Sequence, residues 1–164
     1  MAIRPIRQYG DPVLHRAAAQ VTTFDSDLRT LIADMIDTMI DAPGVGLAAP
    51  QVGVGLQVFV YDVDGVIGHM VNPTLTLTGE LYEVEGCLSV PELRYARHRY
   101  GHAIAEGYDQ HGEPLRLEGE GLLARGFQHE TDHLNGMRYV ENLAPEDKAD
   151  ALKRIEAGPP PWQN

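Results

Sequence analysis

The sequence predicts an α+β fold, mostly antiparallel strands with a few segregated helices, one toward each end and a central one between them. Apolar residues recur at helical spacing over about 26–41 and 120–135. Between these stretches the period changes to that of strands, punctuated by turn residues at Asp64-Gly65 and Asp109–Gly112. Strands followed by segregated helices imply α+β rather than an alternating α/β chain. The central helix carries His129-Glu130-Thr131-Asp132-His133. Residues four apart share one helix face, so His129 and His133 can grip a single ion there, which makes this the metal-binding helix.

In chain order, residues 1–25 read as mostly irregular, with turn chemistry at Tyr9-Gly10-Asp11-Pro12 and a surface role for His15. Over 26–41, Leu28, Leu31, Ile32, Met35, Ile36, Met39 and Ile40 build one apolar stripe, with Ser26 or Asp27 as the N-cap. Its methionines are assigned to the core, and Pro43-Gly44 ends it. The glycine-rich segment 44–55 lacks the Lys-Ser/Thr of a phosphate loop and the third glycine of a dinucleotide fingerprint. Strands are predicted over 57–62 and 68–71, joined as a hairpin at Asp64-Gly65, with Asn72-Pro73 breaking the run. More strand follows over about 74–84, 94–108 and 114–118. His69, His98, His102 and His111 fall in these strands and turns without metal-ligand spacing. Gly136 suits the residue that closes the motif helix. A last helix is predicted over about 145–157, with Pro145 at its start and Leu152 and Ile155 facing inward. Residues 158–164 read as a Pro-rich, frayed tail.

A chain of 164 residues is read as one domain, 1–164. The net charge of −11 argues against direct DNA or other nucleic-acid binding. Arg94, Arg97 and Arg99 with His98 form the one local crowd of basic groups, read as a solvated strand edge. No apolar run approaches the ~20 residues of a membrane span, and the first residues lack a signal-like stretch. A lone cysteine forms no internal disulfide. The expectation is a cytoplasmic protein without a membrane partner.

Two histidines need further protein donors. A third histidine in the pattern HExxHxxGxxH would fall at position 139, which is Tyr139. Glu141 follows His133 closely for a downstream carboxylate ligand, although spacing alone leaves it open. Upstream stands Cys87, in Glu85-Gly86-Cys87-Leu88-Ser89. A free cysteine often simply packs. Gly86 and Pro91 mark a turn there, from which a ligand can reach inward.

Three segments carry a family resemblance: Gly44-Val45-Gly46-Leu47-Ala48-Ala49-Pro50-Gln51, Glu85–Ser89, and Gln128–Gly136. In order and spacing they resemble the signature motifs of peptide deformylases, and the likeness runs from Tyr9 to about residue 143. The resemblance implies metal ligands Cys87, His129 and His133, with Glu130 as the general base. Two imidazoles and one thiolate leave a fourth position for water, as catalytic sites do. Thiolate chemistry admits both Zn2+ and Fe2+; the resemblance implies Fe2+ as the usual ion, with Zn2+, Ni2+ or Co2+ as replacements. It also implies hydrolysis of the N-formyl group from methionine at the start of N-formylmethionyl nascent peptides. Glu130 would accept the water's proton and pass it to the departing amine. Gln51 and the backbone N–H of Leu88 would stabilise the oxyanion. Val45, Leu122 and His129 would line the methionine pocket, and Gly46 and Leu88 would touch the peptide backbone.

At Arg125 the chain departs from many relatives, which are aliphatic there. Either its stem folds over the pocket rim with its head in water, or it alters preference beyond methionine. In some relatives a basic C-terminal extension docks on the ribosome. Residues 145–157 carry three basic and four acidic groups, so charge does not support docking on RNA, and transient ribosome association through a protein contact stays open. Two other readings remain: a metal-dependent endopeptidase, and a non-catalytic protein stapled by its metal.

Overall fold

A computed structural model describes residues 2–137 and 139–157. Its elements are α1 (Ser26–Asp41), β1 (Gly46–Ala48), β2 (Val58–Val63), β3 (Val66–Thr78), β4 (Leu81–Cys87), β5 (Val90–Arg99), β6 (His102–Tyr108), β7 (Pro114–Glu120), α2 (Gly121–Leu134) and α3 (Pro145–Ala157). Short 3-10 turns lie at Pro12–His15, Ala49–Val52 and Tyr139–Asn142. The mixture of helices with antiparallel sheets is the predicted α+β fold. The predicted tail, 158–164, lies outside the described residues.

Helix α1 forms where the apolar stripe predicts. Its cap is Asp25, one residue before the two candidates, whose side chain accepts from Leu28 N–H. Leu28, Leu31, Ile32, Met35 and Met39 are all buried. Burying each such side chain stabilises the fold by ~1.5–3 kcal/mol relative to exposure. The stripe packs with Leu47, Val58, Val60 and Val71 into one core cluster. Ile40, predicted on the stripe, is half exposed at its end.

Five strands form one sheet in the order β1-β2-β3-β6-β7, all antiparallel, and β4 pairs only with β5. The β2–β3 turn has positive φ at both Asp64 (53°) and Gly65 (77°), the geometry that a two-residue hairpin requires. Asn72-Pro73 does not break the strand. The ladder shifts register between Val71 and Thr74, with Asn72 at φ 52°. The Asn72 amide anchors the bulge: its Oδ1 accepts from Val21 N–H and its Nδ2 donates to Val21 O, while its own N–H donates to Gln57 O at 2.8 Å. The predicted run 94–108 is two strands, β5 and β6, separated at Tyr100-Gly101.

Helix α2 lies between the sheets. Its apolar face meets the five-stranded sheet, where Phe127 packs 5.7 Å from Phe59 and 5.4 Å from Tyr61, centroid to centroid. Its polar face meets β4 and β5 through side-chain bonds from Arg125, His129 and Asp132. Gly136 has φ 74° and its N–H bonds His133 O, closing the helix as predicted. Helix α3 packs Ala151 and Ile155 on Tyr95, Val140 and Leu143. Leu152, predicted inward, is exposed: the buried stripe runs 151–155 rather than 152–155, a rotation of one residue that uses the smaller alanine at the closest approach.

Candidate metal centre

Cys87 ends β4, and the tight Leu88-Ser89 connection leads into β5. Its sulfur meets the helix face that holds the two motif histidines. His133 Nε2 lies 3.3 Å from Cys87 Sγ and 3.1 Å from His129 Nε2. Among the described residues, these three are the group whose ligand atoms all fall within 4.8 Å of one another. The donor set fits a divalent ion, since a soft sulfur and two imidazole nitrogens converge from two elements. His133 Nδ1 is buried without a hydrogen-bond partner.

Glu85 orients the first imidazole. It precedes Cys87 by two residues, hence on the same strand face, and its Oε2 lies 2.8 Å from His129 Nδ1. An ionised carboxylate only accepts, so Nδ1 carries the proton and Nε2 is free to ligate. Arg99 grips Glu85 with two bonds, Nε to Oε1 at 3.1 Å and Nη2 to Oε2 at 2.8 Å. The Arg99 Nη1 reaches Asp132 on α2 at 2.5 Å. Burial would raise the Glu85 carboxyl, but hydrogen bonds from His129 and Arg99 hold it well below the usual carboxylate range. Burial likewise opposes charge on His129, yet Cys87 and Glu85 raise its pKa well above the ordinary value. His133 is lowered well below it, by burial and then by the charge on His129.

Here the solvated-edge reading of the arginines needs correction. Arg94 and His98 do face solvent, but Arg97 and Arg99 alternate to the inner face, with side chains 3% and 7% exposed. They are held there by Glu85, Asp132 and the Tyr139 carbonyl. The sequence reading assigned no role to Glu85, Arg99 or Asp132. The available signal was the two-residue spacing of Glu85 from Cys87. Gln128 was likewise missed as an anchor: its amide accepts from Tyr100 N–H at 2.9 Å and donates to Tyr100 O at 2.8 Å, tying α2 to the break between β5 and β6.

A cavity of about 690 Å3 opens over these donors, and Cys87, His129, Glu130 and Gln51 line it. So do Val45, Gly46, Leu88, Leu122 and Arg125; His133 sits behind, 4% exposed. Glu130 is equally buried, and its Oε2 has no hydrogen-bond partner. Burial pushes its carboxyl up to about 7, a value that a cation beside it would pull down. Gln51 is held by Ala48 N–H, which donates to its Oε1 at 2.9 Å. That bond fixes the amide orientation and turns Nε2 toward Ser89 Oγ at 3.2 Å and Cys87 Sγ at 3.8 Å. Arg125 departs from the expectation that its head stays in water. Its Nη1 donates to Val84 O at 2.8 Å and lies 3.5 Å from Glu83, with the side chain only 14% exposed. The head is therefore tied to β4 rather than left in water. Tyr139 puts no ligand on the site. Its hydroxyl, pushed up to about 12 chiefly by burial, stays protonated and donates to Glu85 O.

The polypeptide deformylase family model matches residues 3–149. A peptide deformylase of Acidothermus cellulolyticus is 58% identical over 94% of this chain and 87% of its own length. One from Corynebacterium efficiens, named peptide deformylase 1, is 47% identical over 96% of each chain. The crystal structure of a peptide deformylase from Legionella pneumophila superposes with a TM-score of 0.88 at 43% identity, covering 97% of this chain and all of the other. With its fold, its Cys/His/His cluster and these relatives in agreement, the chain belongs to the polypeptide deformylase family of metallohydrolases.

Proposed function

We propose that this chain, acting as a single catalytic domain, removes the N-formyl group from the initiator methionine of nascent peptides and releases formate. One observation carries the reading: three convergent soft and borderline donors stand beside a buried carboxylate oxygen without a partner among the described residues, at the wall of an open cavity that Cys87, His129 and Glu130 line. Cys87, His129 and His133 would hold the ion, with Fe2+ the proposed resident and Zn2+, Ni2+ or Co2+ as replacements. When bound, such an ion supplies Lewis acidity, making water a nucleophile near neutral pH and polarising a carbonyl.

The remaining work falls to the chain's own groups. Glu130 takes the proton of the attacking water and delivers it to the departing amine. Gln51 Nε2 and the Leu88 N–H donate to the formyl oxygen as charge develops on it. Val45 and Leu122, both exposed at the cavity, and the His129 ring receive the methionine side chain. Gly46, on edge strand β1, and Leu88 meet the peptide backbone. Among the described residues no helix is long and apolar enough to cross a membrane; the proposed place of action is the cytoplasm. Because α3 is net acidic, any contact with the ribosome would use a protein surface rather than RNA phosphates.

The test is anaerobic purification, measurement of bound metal, and assay of formate release from formyl-Met-Ala-Ser, with an unformylated peptide and a chelator as controls. Glu130→Ala should keep the metal and lose turnover, whereas Cys87→Ala should lose the metal. Fully metallated protein that releases no formate defeats the proposal. Full activity in the Glu130 variant removes the assigned base.

A further inference from the structure

Strands β4 and β5 pair regularly from Leu81↔Arg99 to Gly86↔Arg94, after which the ladder slips so that Cys87 pairs with Val90. Tyr139 reaches into this hairpin one rung before its last regular pair, at Glu85↔Tyr95. Its hydroxyl accepts from Tyr95 N–H at 3.1 Å and donates to Glu85 O, so a side-chain oxygen bridges two facing strand residues. The other end of Tyr139 is also held: its carbonyl accepts from Arg97 Nη1 at 3.2 Å. Its ring lies 6.0 Å from the His129 ring, centroid to centroid.

The residue so pinned stands behind two of the three donors. The Glu85 carboxylate orients His129, and its backbone leads through Gly86 to Cys87. We propose that Tyr139 is a positioning residue for the proposed reaction: its hydroxyl clamps β4 to β5 at Glu85 and Tyr95 and thereby sets the placement of Cys87 and the aim of His129. Removing that oxygen leaves two alternatives. Either the Tyr95 N–H and the buried Glu85 C=O lose that partner, which is costly, or the hairpin shifts to pair them anew and carries Glu85 and Cys87 with it. Both disturb the site without touching a donor. The position is telling in sequence, since a hydroxyl stands where a third histidine would fall and serves the supporting layer instead of the metal.

This inference rests on the deformylase reading, and its test separates the two. Tyr139→Phe and wild type are loaded with Co2+, whose visible bands report the geometry of thiolate and imidazole donors. Tyr82→Phe, an exposed tyrosine of the same hairpin, serves as control. The expected result for Tyr139→Phe is a shifted cobalt spectrum and a kcat lower by ~10-fold, with KM within about twofold. Tyr82→Phe should match wild type in both. An unchanged spectrum and kcat, whatever the melting temperature, overturns the inference; formate release by wild type then leaves the deformylase reading standing. If Tyr139→Phe does not fold, proton exchange in the wild type decides: slow exchange of the Tyr95 amide and Tyr139 hydroxyl supports the bridge, and fast exchange overturns it.

Discussion

Gly46→Ala isolates how closely the peptide-binding edge approaches the proposed base. A Cβ built on Gly46 would stand 2.7 Å from Glu130 Oε1, 3.1 Å from its Cδ and 3.2 Å from its Cγ, where ordinary contact begins at 3.4 Å. Gly46 lies in strand β1 without positive φ, so alanine brings no backbone strain, and the three nearest atoms that it meets all belong to the Glu130 side chain. Glu130 must move by about 0.7 Å or more to restore contact. A misplacement of ~1 Å in a reacting constellation can cost ~10²-fold, so kcat should fall by ~30–100-fold, or ~2–3 kcal/mol of barrier. Metal content should stay at the wild-type level, because none of the three donors is touched. The assay is formate release under anaerobic conditions, with metal analysis and thermal unfolding on the same preparations. A metallated, folded variant with kcat within threefold of wild type would refute the reasoning, placing the working position of Glu130 elsewhere.

Other outcomes follow from the buried polar layer and the rim. Glu85→Gln leaves Arg99, 7% exposed in its side chain, with Asp132 as its remaining anion; the lost charged hydrogen bonds should cost about 1.5–3 kcal/mol in urea unfolding and ~10–100-fold in metal affinity by chelator competition. A loss under ~1 kcal/mol with unchanged affinity would sink that account. Because the Arg125 head is committed to Val84 O and Glu83, Arg125→Ile should leave the relative rates on acidic and basic second residues within about twofold; a larger change would show that its charge reaches the substrate. Asp34, 4% exposed, accepts from Ala2 N–H at 2.7 Å and Arg4 Nε at 2.9 Å. Burial would raise its pKa, but these bonds lower it. Its stabilisation is therefore present above the unfolded pKa of about 3.9 and fades as pH falls through the lower folded value. Asp34→Asn should cost about 1–2 kcal/mol at pH 7, and unfolding curves for variant and wild type should converge in acid.

What the sequence determined by itself was most of what local period governs, Ile40 and Leu152 being the exceptions. The α1 stripe, the Asp64-Gly65 hairpin, the Gly136 helix end and the shared face of His129 and His133 depend on neighbours within a few positions. Side-chain direction repeats every 3.6 or 2 residues there, so the pattern and the geometry are the same statement. Even the Asn72-Pro73 misreading was local in origin: proline does lack an N–H, but the strand absorbs the two residues as a bulge, whose Asn72 side chain is anchored on the distant Val21 backbone.

The tertiary structure decided what depends on register between distant strands. Spacing alone left Cys87 divided between packing and ligation, and its convergence with the histidines follows from how β4 lies against α2. The fates of Arg97, Arg99 and Arg125 were equally undetermined, because a long cationic side chain reads as solvated until a carboxylate or carbonyl is brought within reach. Asp132 carries no spacing signature of its own, and the spacings of Glu85 and Tyr139 do not say what either residue meets. Their roles arise only where the β4–β5 hairpin closes on the motif helix and on the turn beyond it. Periodicity sets which face a residue occupies; closure of the chain sets what that face meets.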